Sequence, residues 1–100
     1  MATISKAMFR GAASTGNTTL YTVPVATTAV VTNIVITNSA ASAGTFTLNL
    51  NGTAIATTVP VSANGIITLD IKQVLSATQT ITGLASATTI NYHISGVEIN

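Results

Sequence analysis

Few side chains in this 100-residue sequence could do acid–base chemistry. The candidates are one histidine, His93, and two carboxylates, Asp70 and Glu98. A histidine and an aspartate could activate a serine hydroxyl, but such a hydrolase also needs an oxyanion hole and a positioned serine. No Gly-x-Ser-x-Gly segment occurs to position a nucleophilic serine. His93 is therefore expected to face outward or to lie in an interface. We therefore predict that the protein is not an enzyme and has no catalytic residues.

The sequence also has few residues that could bind a metal ion or a cofactor. The sequence has no cysteine, which excludes thiolate metal sites and a disulfide framework. One histidine and two carboxylates leave little to hold a first-row metal. Glycines such as Gly44 and Gly52 stand singly, so no glycine-rich phosphate loop is present. We predict no metal and no cofactor.

The low charge content argues against a nucleic-acid partner, and the short apolar runs argue against a membrane-spanning segment. Charged residues make up 5% of the chain, against ~25% in an ordinary soluble domain. The three basic side chains, Lys6, Arg10 and Lys72, are too few to follow a phosphate backbone, so no nucleic-acid partner is expected. Apolar runs are interrupted within a few residues by Thr, Asn or Pro, so no membrane-spanning segment is expected either.

The elements that must position these side chains are predicted to be β-strands. Twenty threonines, eleven isoleucines and nine valines favour a pleated sheet over a helix. Residues 45–50 and 89–94 alternate between apolar and polar types, and Asn51-Gly52 directly after the first segment is a hairpin signal. The residues expected to face the core in these two segments are Phe46, Leu48, Leu50, Ile90, Tyr92 and Ile94.

Strand signals recur about every ten residues, which predicts an all-β protein, a single Greek-key β-sandwich or jelly roll of about seven to eight strands. Residues 1–16 are expected to form an N-terminal arm or edge strand, and residues 17–100 the β-sandwich domain. The Thr-Val-Pro-Val sequence occurs at 22–25 and again at 58–61, which we interpret as two similar hairpins with each proline at a strand edge or end. No segment is long enough for an amphipathic helix, and the best candidate for a single helical turn lies around 72–75.

The alternation changes phase near the end of the chain. Ile94 has the parity of the core-facing residues, whereas Val97 and Ile99 have the opposite parity, with Gly96 between them. A β-bulge at Ser95-Gly96 would return Val97 and Ile99 to the core, and this is the favoured interpretation. The alternative is that both side chains leave the core and pack on a neighbouring subunit.

The polar half of each strand carries threonine in place of charge. Lysine and glutamate on edge strands normally discourage unwanted pairing, and this chain largely lacks them. A surface of Thr, Ser, Asn and Ala loses little desolvation energy and side-chain entropy when it is buried permanently. We therefore predict a homo-oligomer, with an interface formed by Lys6, Phe9 and Arg10 of the N-terminal segment and by Val97 and Ile99.

Several segments resemble small virion structural proteins of tailed bacteriophages. They are Leu20-Tyr-Thr-Val-Pro24, Thr27-Thr-Ala-Val-Val-Thr-Asn-Ile-Val-Ile-Thr-Asn38, Asn51-Gly52 and Asn91-Tyr-His-Ile-Ser-Gly-Val-Glu-Ile99. The resemblance extends over about residues 18–99 and lies in strand and turn patterns, not in a catalytic signature. It implies a β-sandwich or jelly roll in the virion, a capsid decoration (cement) protein that binds the major capsid protein or another virion protein as a trimer or other cyclic oligomer. The alternative that it implies is a small tail or fibre component that recognises the host surface.

Overall fold

The computed structural model describes residues 2–100, so that Met1 of the predicted N-terminal segment lies outside the described residues. Within that range the chain forms nine β-strands and no helix. The strands are β1 (Thr3–Ala12), β2 (Thr18–Thr22), β3 (Thr28–Asn38), β4 (Gly44–Leu50), β5 (Thr53–Val61), β6 (Ile66–Leu69), β7 (Gln73–Leu75), β8 (Thr80–Ala85) and β9 (Ile90–Ile99).

The strands form two antiparallel sheets whose order identifies the fold. One sheet has the order β1-β9-β3-β6, with β7 also paired to β3, and the other has the order β2-β8-β4-β5. The first strand thus pairs with the last, the second with the last but one, and so on inward to the β4–β5 hairpin. This wrapping of nested strand pairs over two sheets is that of a jelly roll. The predicted fold class is confirmed.

Residues 2–100 form nine strands where seven to eight were predicted, because the partner strand of β3 is broken in two. β6 pairs with residues 34–37 of β3 and β7 pairs with residues 29–31, and residues 70–72 separate them. The candidate helical turn around 72–75 does not form, since Gln73–Leu75 is extended and pairs with β3. The valines on either side of this pairing suit a pleated surface better than a helix.

The core lies between the two sheets and contains the apolar residues that alternation assigned to it. Phe46, Leu48, Ile90, Tyr92 and Ile94 are almost completely buried. The rings of Phe46 and Tyr92 meet edge to face with centroids 6.2 Å apart. The Tyr92 hydroxyl donates a hydrogen bond of 2.8 Å to the Leu84 carbonyl oxygen, and burial raises the pKa of Tyr92 to about 12.

The predicted turn at Asn51-Gly52 is confirmed, but the interpretation of the repeat is wrong. Asn51 and Gly52 have φ values of 48° and 81° and join β4 to β5, as a tight hairpin requires. The two Thr-Val-Pro-Val segments lead instead from the four-stranded sheet to the five-stranded sheet, from β2 to β3 and from β5 to β6. They are sheet-to-sheet connections. Pro24 follows the end of β2 and Pro60 lies in the edge strand β5, where a missing N–H is tolerated.

β9 runs without a change of phase, so the favoured β-bulge at Ser95-Gly96 is wrong. Its burial alternates from Ile90 to Ile99, which places Gly96 and Glu98 inward and Val97 and Ile99 on the outer face. The extra residues lie in the neighbouring strands, where the register shifts between Ala7 and Phe9 of β1 and between Val31 and Asn33 of β3. The apolar–polar pattern of the sequence changes phase although the strand does not. The inward positions after Ile94 are held by a glycine and a carboxylate, Gly96 and Glu98, and the outward ones by Val97 and Ile99.

Candidate interaction surface

The outer face of the five-stranded sheet carries an apolar row. Val97 of β9 lies directly opposite Val30 of β3, and Val30 lies opposite Val74 of β7. Val74 is 64% exposed, and Val30 and Val97 are half-buried. Ile99 belongs to the next row, between Thr3 and Thr28. Val30 and Val74 were missed by sequence analysis, although adjacent valines such as Val30-Val31 must place one side chain on each face of a strand.

A crease crosses the same sheet next to the apolar row. The register shifts at Met8 of β1 and at Thr32 of β3 face each other across β9, and residues 70–72 interrupt the next strand at the same level. Gly96 lies in the crease, where a Cβ atom would collide with the Val30 carbonyl oxygen and lie 2.6 Å from Met8 Cε. Bulges bend a sheet and increase its local twist. The crease therefore depends on a residue without a side chain at position 96.

A shallow depression of about 440 Å³ opens on the outer face at the crease. Lys6 and Arg10, two of the three basic residues of the chain, both border it. Arg10 faces outward beside His93, whereas Lys6 lies opposite the inward-facing Gly96 and its Nζ approaches Glu98 on the inner side. The hydroxyl-bearing residues Ser5 and Ser95 and the apolar Val97 also contribute to its wall. Because Arg10 faces it and no carboxylate lines it, the depression is cationic, with hydrogen-bond donors placed beside the guanidinium group.

A buried carboxylate joins the two sheets at the edge behind this depression. Glu98 is 6% exposed and accepts a hydrogen bond from the hydroxyl of Tyr21, on β2 of the other sheet. Lys6 Nζ lies 3.9 Å from Glu98 Oε1. Burial, together with the hydrogen bond to and the negative charge of Glu98, raises the pKa of Tyr21 well above its usual range. A buried carboxylate needs such partners, and Tyr21 and Glu98 are too far apart in sequence for any local pattern to reveal the pair.

The structure brings three of the five predicted interface residues together. Lys6, Arg10 and Val97 border the depression, although the ammonium group of Lys6 is directed to Glu98 on the inner side. Ile99 lies one row further along the outer face. Phe9 does not join them, because it is half-buried and packs against the hydrophobic core. That these residues form an interface stays a prediction.

The N-terminal segment lies in the sheet. β1 pairs with β9 from Thr3 to Ala12, and Met8 and Ala13 are buried in the core. Any contact that Lys6 or Arg10 makes with a neighbour therefore comes from an ordered edge strand.

The outer face of the four-stranded sheet holds no ionisable side chain within residues 2–100. Cross-strand neighbours on this face include Thr19 opposite Thr82 and Thr82 opposite Asn49. Asn49 Nδ2 donates to Thr82 Oγ1 at 3.4 Å. This face is thus a polar but uncharged surface, which costs little to desolvate in a permanent contact.

The edge strands are protected by irregular backbone in place of charge. The register of β2 shifts between Thr19 and Tyr21, and that of β1 between Ala7 and Phe9. β5 contains Pro60, and its Thr58 has a positive φ of 49°. Bulges, proline and short strands all hinder pairing with another chain. Association is therefore directed to the faces and side chains of the sheets and away from extension of the backbone ladder.

The three side chains considered for acid–base chemistry do not converge. His93 lies on the outer face between Arg10 and Val35, and Asp70 is exposed in the β6–β7 connection. Glu98 points into the sandwich. Within residues 2–100 no three His, Asp or Glu side chains are placed to hold a metal ion. The described part of the chain contains no helix long and apolar enough to cross a membrane.

Comparisons with known proteins show likeness in fold. No family model and no curated protein matches the chain. The crystal structure of the T13 IBDV viral particle matches with a TM-score of 0.57 and 10% identity, over 97% of this chain and 29% of that chain. An exo-β-1,3-galactanase from Phanerochaete chrysosporium matches with a TM-score of 0.49 and 13% identity, over 97% and 29% respectively. A pentameric capsid protein isolated from metagenomic phage sequences matches with a TM-score of 0.41 and 14% identity, over 95% and 60%.

The chain spans less than a third of the length of the first two of these proteins. At 10% identity the similarity to the IBDV particle protein establishes a shared jelly-roll architecture. One fold serves many functions, so what the protein does must be argued from its surfaces.

Proposed function

We propose that the protein is a non-enzymatic structural protein of a bacteriophage virion, a capsid decoration (cement) protein that binds the shell as a homo-oligomer, with a trimer favoured. Its partners are other copies of itself and the major capsid protein or another virion protein, and its location is the virion. Its surfaces, and not a pocket for a small substrate, carry the function.

One observation carries the proposal. The two outer sheet faces of the jelly roll present mostly Thr, Ser, Asn, Ala and Val, together with Ile66 and Ile99. Arg10 and His93 are the ionisable side chains on those faces within residues 2–100. Such faces give up little hydration energy when they are covered. The jelly-roll likeness to a viral particle protein and the resemblance to small phage virion proteins support the same conclusion.

The mechanism follows from this surface. Each subunit adds a modest contact across a junction between shell subunits, and many copies together resist the outward pressure of packaged DNA. An oligomer engages several sites at once, so weak individual contacts combine into tight attachment. Because the edge strands are irregular, the subunits bind through faces and side chains and do not extend their sheets into fibrils.

The test is the copy number of this polypeptide in purified virus particles, measured by quantitative mass spectrometry against the main shell protein. A number comparable with that of the shell protein supports the proposal. A few copies per particle would assign the protein to the tail or a fibre, and absence from particles would overturn a role in the virion.

A further inference from the structure

The cationic depression at the crease contains a guanidinium group, that of Arg10, without an ion-pair partner among residues 2–100. Glu98 lies close to Lys6 and is itself bonded to Tyr21, whereas no carboxylate within residues 2–100 lies within ion-pair distance of Arg10. Arg10 is exposed on the edge strand, and its planar guanidinium group suits a carboxylate bound through two parallel hydrogen bonds. The serine hydroxyls in the same wall can donate to the same ligand.

The sequence contains two side-chain carboxylates, and one of them is exposed enough to bind a group on a neighbouring subunit. Glu98 is buried, whereas the side chain of Asp70 is 82% exposed. Its neighbour Lys72 lies 3.6 Å away and is 75% exposed. Such a surface ion pair contributes little free energy, so Asp70 can exchange this partner for another.

Arg10 and Asp70 lie near opposite edges of one sheet, two residues apart along the strands: Arg10 is in the row of His93, Val35 and Thr68, and Asp70 follows Thr68 by two residues. Leu69 pairs with Ile34 and Gln73 pairs with Val31, so residues 70–72 lie opposite the β3 bulge. That bulge adjoins Ser95, which lines the depression beside β1. A second copy set beside the β1 edge and shifted by this offset therefore brings its Asp70 loop to the depression, through a side-chain contact that does not extend the backbone ladder.

We propose that the depression is a carboxylate-binding site and that its ligand is Asp70 of a second copy of this chain, arranged head to tail. The inference rests on the self-association in the proposed function and specifies its contact. A head-to-tail contact uses two different surfaces of each copy and closes into a ring when the rotation between copies permits. Val97 forms an apolar wall that shields the ion pair from water.

The test is the association constant of the full chain, measured by sedimentation and light scattering for five variants. Arg10→Gln and Asp70→Asn should each weaken association about tenfold or more, as loss of a charged contact in an interface does. The double variant should lose no more than either single one, because both remove the same contact. Reversal of both charges, Arg10→Asp with Asp70→Arg, should restore association. Lys72→Gln is the matched control and should not weaken it.

A monomeric wild-type protein would overturn the inference. So would an Asp70→Asn variant that associates normally or a double variant whose losses add. Circular dichroism establishes that each variant is folded, and the neutral double variant decides the matter if charge reversal prevents folding. Particle copy number is independent of these measurements. If the protein is present in particles but its association does not depend on Asp70, only this contact is refuted. If its association depends on Asp70 but the protein is absent from particles, only the virion role is refuted.

Discussion

The hydroxyl of Tyr21, on the four-stranded sheet, donates a hydrogen bond to the carboxylate of Glu98, on the last strand of the five-stranded sheet. Both residues are buried, so water cannot replace either partner. The pair ties the two layers together beside the edge strand that carries Lys6 and Arg10.

Tyr21→Phe should therefore lower the free energy of unfolding by about 1–3 kcal/mol, since it leaves a buried carboxylate with one donor fewer. Glu98→Gln is the matched variant, because its amide oxygen still accepts from Tyr21, and its loss should be smaller. Urea unfolding followed by circular dichroism measures both. A Tyr21→Phe protein as stable as the wild type would show that the hydrogen bond contributes nothing net.

Gly96→Ala should destabilise the fold by about 1–3 kcal/mol, the usual effect of forcing extra atoms into a packed site. The added methyl group would collide with the Val30 carbonyl oxygen and displace the Met8 side chain. Gly16→Ala is the control, since a Cβ atom there meets nothing within 4 Å and should leave stability unchanged. Thermal unfolding compares the two variants, and equal melting temperatures would contradict the close contact at Gly96.

Replacement of Val97 and Ile99 together by serine should lower the mass of the oligomer while the β-type circular dichroism spectrum persists. Both side chains lie on the outer face and are only half-buried, so the core does not depend on them. Light scattering gives the mass. Val31→Ser is the contrasting variant, because Val31 is completely buried and its replacement should destabilise the monomer itself. Loss of the fold in the Val97 and Ile99 variant would contradict their outward placement.

Stability should fall at alkaline pH. Burial raises the pKa of Tyr92 from its ordinary value of 10.0 to about 12, and the pKa of Tyr21 is raised further in the same direction. Above pH 10 the unfolded chain therefore releases protons that the folded chain retains, which lowers the free energy of unfolding by at most about 1.4 kcal/mol per pH unit for each hydroxyl.

Urea midpoints measured at closely spaced values from pH 8 to pH 12 should be level at first and then fall. The fall should be shallower in Tyr92→Phe, whatever that variant loses in stability near neutral pH. A wild-type profile that stays flat to pH 12 would contradict the raised pKa values.

The sequence by itself determined the fold class, the hairpin and much of the core. Strict alternation in 45–50 and 89–94 reports burial directly, because neighbouring side chains in a strand point to opposite faces. Asn51-Gly52 specified its turn because both residues take up positive φ readily. The scarcity of charge likewise pointed to a surface suited to association before any contact was known.

Only the tertiary structure decided what Glu98, Gly96 and Arg10 do. Alternation assumes that inward positions are apolar, and it failed at Glu98 because a tyrosine 77 residues away makes the buried carboxylate tolerable. The bulges lie in β1 and β3 and not in β9, since register is set by pairing between strands distant in sequence. The same pairing places Arg10, Ser95 and Val97 around one depression, a neighbourhood that exists only once first and last strands meet.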